Sequence, residues 1–204
     1  MQSLKDLGEY LPATVVVTIL LFLIKEFLEC LRKRSERIRK ISAIKILIAE
    51  ELERNHWALV SMFRVLNILK EAFQKYPRAV FWLHIARDGS EHFRIKEKPE
   101  DEYSSGCVIP KYCTVMYERL LPTLAELDKS LFEVVRKTYE AIIELNHYRQ
   151  ILTDFLAGED LAPYRDMTKH FLSDLADEKD DYYKILSEGY KALTGKDLES
   201  WKLR

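Results

Sequence analysis

A charge-free stretch from Leu11 to Ile24, set against a strongly basic one, limits the folds open to this chain more than any other feature. Thr14 and Thr18 are its only polar side chains. Lys25 and Glu26 interrupt it, apolar character resumes at Phe27 and Leu28, and then come Arg32, Lys33, Arg34, Arg37, Arg39 and Lys40. A bilayer requires about 20 residues at roughly 1.5 Å each, which extension to Leu28 or Leu31 supplies. Each apolar residue from Val15 to Ile24 favours insertion by about 0.3–0.6 kcal/mol, and a lysine near the boundary can stretch its stem to the headgroups. The pattern predicts a short extracytoplasmic segment over 1–9, a transmembrane helix over 10–31 and a cytoplasmic domain over 32–204. Orientation follows from the basic collar, because the other flank offers only Lys5 and the amine against Asp6 and Glu9. The competing reading is a buried helix of a soluble domain. A cleaved secretory signal is disfavoured, since no basic n-region precedes the run and charged residues follow it.

The formal net charge of −1 hides that collar, which acidic residues farther along balance. Contact with anionic lipid headgroups is therefore expected, and direct binding of nucleic acid is not. Cys30, Cys107 and Cys113 are odd in number and lack metal-type spacing, so free thiols are expected. With six glycines and six prolines, helices should dominate.

From Ser35 to Lys75 one long helix is predicted, either separate from the span or continuous with it. Ile41, Ile44, Ile48, Leu52, Asn55, Leu59, Met62, Leu66, Leu69 and Phe73 recur at steps of three and four, interrupted only by Asn55. Leu47, Phe63, Val65 and Ile68 widen the stripe beyond a two-stranded seam. Residues 78–110 form an insertion. Asp88-Gly89 between aromatic and β-branched runs signals a hairpin, against the alternative of a short helix stopped by Gly89, and 97–106 reads as an exposed loop. Helix is expected again from Lys111 to Leu156, bent at Pro122 and stopped by Gly158, then over 163–176 and 178–193. The fold class is mainly α: one N-terminal transmembrane helix followed by a cytoplasmic antiparallel helical bundle with a small β-hairpin insertion.

Two signals could carry chemistry. Glu53-Arg54-Asn55-His56 and Glu144-Leu145-Asn146-His147 each contain Glu-x-x-His, the unit that di-metal carboxylate bundles use from two helices. Glu53, His56, Glu144 and His147 are thus alternative metal ligands. At 100° per residue all four point away from their main apolar stripes, which predicts a buried Asn55 tying helices together with the Glu and His solvated. Arg165-Asp166-Met167-Thr168-Lys169-His170 resembles the Arg-x4-His motif of the HEPN ribonucleases. That resemblance implies Arg165 at a scissile phosphate and His170 in proton transfer. The same spacing recurs at Arg87–His92 on a predicted turn. There is no phosphate-cradling glycine loop, G-x-S-x-G elbow or Cys-His pairing. No metal, cofactor or catalytic residue is expected in the main reading.

The layout is similar to that of membrane-anchored effectors of bacterial anti-phage defence, including the retron-associated transmembrane type. The likeness rests on Leu11–Leu28, the collar Arg32-Lys33-Arg34 and the helical part opening Glu50-Glu51-Leu52-Glu53-Arg54-Asn55-His56-Trp57. It implies an inner-membrane, single-pass, non-enzymatic effector, partnered by the lipid bilayer, a cytoplasmic protein and further copies of itself, and acting by membrane-proximal assembly or perturbation when released. A membrane-tethered adaptor and an enzyme of HEPN or di-metal type are the alternatives.

Overall fold

The computed structural model describes residues 13–102, 104–159 and 162–198. Its elements are α1 (Ala13–Lys75), β1 (Val80–Ile85), β2 (Glu91–Lys96), β3 (Ser105–Val108), α2 (Val115–Leu127), α3 (Lys129–Ala157), a 3-10 turn (Ala162–Tyr164), α4 (Arg165–Leu175) and α5 (Lys179–Thr194). The chain divides into two units, Met1–Ala43 and Ile44–Arg204.

Within the first unit, the expected transmembrane helix is not found. Among the described residues no helix is long and apolar enough to cross a membrane. The charge-free part of α1 runs only from Ala13 to Ile24, about 18 Å of helix against the roughly 30 Å of a hydrocarbon core. A window of 18 residues beginning in that part takes in Lys25, Glu26 and Glu29. Residues 10–12 of the expected span, like the segment 1–9, lie outside the described residues. The single-pass placement in the inner membrane, with residues 32–204 on the cytoplasmic side, falls with the span.

The second unit is built on the stripe of α1. Ile44, Ile48, Leu52, Leu59, Met62, Leu66 and Leu69 are buried, as the period of three and four predicts, while Leu47 is exposed. The bundle is not antiparallel throughout. Glu51 meets Tyr139 and Phe73 meets Phe155, so contacts between α1 and α3 advance in the same direction. Such a parallel pair needs a long crossover, which residues 76–128 provide. α5 runs against both: Tyr190 reaches Glu53 while Tyr182 reaches Phe63, and Gly189 faces Thr138 while Tyr182 meets Tyr148.

The insertion is a three-stranded antiparallel sheet in the order β1-β2-β3, not a lone hairpin. The loop Arg87-Asp88-Gly89 joins β1 to β2, closed by the Ala86 N–H on the Ser90 carbonyl, with Gly89 at φ +78°. That left-handed geometry is why Asp-Gly marks the turn. β3 pairs His92 with Val108 and Phe93 with Cys107, within a stretch expected to be loop up to Gly106. Phe93 and Ile95 bury one face of β2, and Phe81 stacks on Phe93 with ring centroids 6.2 Å apart. The helix predicted to bend at Pro122 instead ends at Leu127. Asp128, extended at φ −152°, accepts the Leu131 N–H at 3.0 Å and starts α3 afresh.

Candidate functional site

The side chains of α1 from Val15 to Leu31 form the largest unexplained surface. Twelve large hydrophobic residues there (Val15 to Val17, Ile19 to Ile24, Phe27, Leu28 and Leu31) are 38–64 % exposed. Ile19 to Ile24 are consecutive, so they face every side of the helix. A monomer ordinarily exposes apolar patches of about 300–600 Å² at most, and larger ones mark interaction surfaces. Thr18 donates to the Thr14 carbonyl at 2.7 Å, which removes one of its few polar groups from the surface. Farther along, Lys33 pairs with Glu29 at 3.0 Å and Arg32 with Glu36 at 3.6 Å, both one turn apart, whereas Arg34, Arg39 and Lys40 remain exposed. Arg37 is exposed as well.

In the second unit the best-built polar cluster centres on Glu51, which is 1 % exposed. Its Oε1 accepts the Tyr139 hydroxyl at 2.7 Å and the Tyr117 N–H at 3.2 Å. Its Oε2 accepts the Met116 N–H at 2.8 Å and the Cys113 thiol at 3.1 Å. Thr114 opens α2 but directs its hydroxyl to Glu118, so Glu51 caps that helix from outside it. One turn later Asn55 exchanges two 2.7 Å bonds with the peptide of Cys113, its Nδ2 donating to the carbonyl and its Oδ1 accepting from the N–H. The Tyr117 and Tyr139 rings stack at 4.2 Å over the cluster. Burial, and then its bond to Glu51, push the Tyr139 phenol far above its ordinary range. A carboxylate offers about four lone-pair sites, and here four donors occupy them, so Glu51 clamps the segment 113–117 and α3 to α1. The buried tie expected of Asn55 is present; Glu51, an acid inside the apolar stripe one turn before it, was the available clue to its partner.

The alternative metal ligands are not brought together. Glu53 accepts the Tyr190 hydroxyl at 2.6 Å, and Glu144 accepts that of Tyr148 at 2.7 Å. His147 is exposed beside Tyr148. His56 is buried, not solvated, between Trp57 and Tyr183, and among the described residues neither ring nitrogen has a hydrogen-bond partner. The helical wheel placed it off the stripe of α1, but α5 covers that flank too. Among the described residues no group of three or more His, Cys, Asp or Glu could hold a metal ion.

Arg165 and His170 both lie on α4, five residues and so about 140° apart around its axis. Arg165 sits over the Phe155 ring at 4.9 Å and His170 is exposed. In the second copy of the spacing, Ser90 donates to Asp88 at 2.7 Å and meets His92 Nε2 at 2.9 Å. The hydroxyl stands between acid and imidazole, whereas nucleophile activation requires the imidazole in the middle. Cys30, Cys107 and Cys113 are free. Trp57 is partly exposed and Trp82 half-buried; Trp201 lies outside the described residues. Tyr182 is buried and meets Phe63 and Tyr148.

Comparison with protein families, curated proteins and solved structures finds no match to this chain.

Proposed function

We propose that this protein is a non-enzymatic effector that acts by associating with further copies of itself through residues 15–31 of α1. The observation that carries the reading is the exposure of Ile19 to Ile24 on every side of one helix. A helix apolar all round is stable only when covered all round. One partner helix with a single apolar stripe would leave most of that surface wet, whereas a cluster of identical helices covers several faces of each member. The pairs Lys33–Glu29 and Arg32–Glu36 offset part of the collar's charge and so ease the approach of copies. Physiological salt screens the remainder over about 8 Å. The resemblance to anti-phage defence effectors supports a trigger-dependent assembly, although the membrane span on which the resemblance partly rested is lost.

Sedimentation velocity of the full chain across a concentration series tests this reading. Expected is a concentration-dependent oligomer that Leu20→Glu with Leu23→Glu returns to monomer without loss of helical signal. A full chain monomeric at high micromolar concentration overturns the proposal. So does an oligomer that both substitutions leave intact.

A further inference from the structure

A cleft of about 210 Å³ opens where the C-terminal end of α1, β1, α3 and α4 meet. It carries two cations one helical turn apart on α4, Arg165 and Lys169. The sequence places these like charges at i and i+4, where they repel. Each is nonetheless held against a ring: Arg165 lies 4.9 Å from the Phe155 centroid and Lys169 4.8 Å from that of Phe73. Phe73 and Phe155 themselves meet edge to face at 6.0 Å. Among the described residues neither cation has an ion-pair partner, and Asp166 is the only acid lining the cleft. The rest of the lining is apolar and aromatic and includes Tyr76 and Phe81.

We propose that this cleft binds a small organic phosphate, its dianionic head between Arg165 and Lys169 and its ring or other flat group against Tyr76 and Phe81. A dianion with several acceptor oxygens bridges two cations at this spacing and turns their repulsion into attraction, which a neutral ligand cannot do. The aromatic rings already hold both side chains, so less rotamer freedom is lost on binding. The volume lies below the 300 Å³ or so at which drug-sized pockets begin, so the ligand carries one ring rather than several. His170 does not line the cleft, so the site shares only Arg165 with the Arg-x4-His arrangement that a ribonuclease would need.

Titration calorimetry of the full chain with phenyl phosphate, inorganic phosphate and phenol tests the assignment. Phenyl phosphate should bind about tenfold more tightly than inorganic phosphate, phenol should not bind measurably, and affinity should fall with added salt. Arg165→Gln or Lys169→Gln should weaken phenyl phosphate about tenfold or more, and Asp166→Asn should strengthen it. Arg165 and Asp166 are exposed and Lys169 is half-buried, none in the core, so circular dichroism should be unchanged. No heat from phenyl phosphate at millimolar concentration, or binding that survives Arg165→Gln with Lys169→Gln, overturns the proposal. Phenyl phosphate binding no better than inorganic phosphate overturns the part assigned to Tyr76 and Phe81.

Discussion

Glu51 engages four donors at once, so its replacement leaves several buried groups unpaired. Glu51→Ala should cost about 3 kcal/mol of unfolding free energy, because the Met116 and Tyr117 amides and the Tyr139 hydroxyl lose their acceptor. Asn55→Ala, which strips both bonds from the Cys113 peptide, should cost about 2 kcal/mol, and the pair should be non-additive since both grip the same segment. Urea denaturation of the singles and the double reads all three values. His56 makes a pH-dependent prediction. Burial, and then the charge of Lys179, lower its pKa from the ordinary 6.5. Above that pH the ring is neutral whether folded or unfolded, and stability does not change on its account. As the pH falls through 6.5 the unfolded chain takes a proton that the folded chain resists, so stability drops. Between pH 7 and 5.5 the melting temperature should therefore fall further in the native protein than in His56→Phe, which thermal denaturation at the two pH values checks. Of these residues the sequence made Asn55 legible, as a polar interruption of an apolar stripe. Its partner is the peptide of Cys113, and Glu51 draws its donors from 113, 116, 117 and 139; pairing over such separations leaves no periodic trace.

Helices were legible where the apolar period was long and least so where a backbone event decides the boundary. Pro122 sits inside α2 on an exposed face, where its missing N–H frees a carbonyl that water can satisfy, and the break falls at Asp128 instead. β3 carries Ser105, Gly106, Cys107 and Val108 without a buried apolar side chain, so its pairing with β2 rests on backbone bonds that composition does not announce. The parallel sense of α1 and α3 was hidden for a related reason. Direction follows from the path of the crossover, and the pattern within each helix is the same either way. The contact of α3 with α5 shows how closely these helices approach. A Cβ at Gly189 would lie 2.3 Å from Oγ1 and 2.8 Å from Cγ2 of the buried Thr138. Gly189→Ala gains about 1 kcal/mol of helix propensity but should still destabilise the protein, by about 1–3 kcal/mol, as α5 is forced away. Thr138→Ala in the same chain removes both close atoms and should recover part of that loss. A calorimetric cycle of the four proteins gives the coupling, and additive effects would mean that the two helices do not meet here.

At the scale of the whole molecule, α1 takes part in two units whose stabilities have different sources. From Thr14 to Ala43 no side chain is buried, and Ile44 is the first that is. A helix without tertiary packing is marginal in water, because propagation gains little per residue beyond a costly nucleus. Amides of residues 44–72 are instead tied to the core formed by Leu52, Leu59, Met62, Leu66 and Leu69. The apolar run at 14–24 was the plainest feature of the sequence, and the structure agrees that it is helical. Its use was misread because length and interruption by Lys25, Glu26 and Glu29, rather than hydrophobicity alone, decide whether a helix can cross lipid. Hydrogen exchange on the full chain connects these facts with assembly. In a dilute, monomeric sample protection along α1 should change near residue 43, with amides on the N-terminal side exchanging at least a hundredfold faster, since local opening there breaks no buried contact. At concentrations where copies associate, protection should rise selectively over residues 15–31 while that of 44–72 stays constant. Uniform protection along α1 in the dilute monomer would mean that its first unit is stable without a partner, and the exposed apolar surface would then need another explanation.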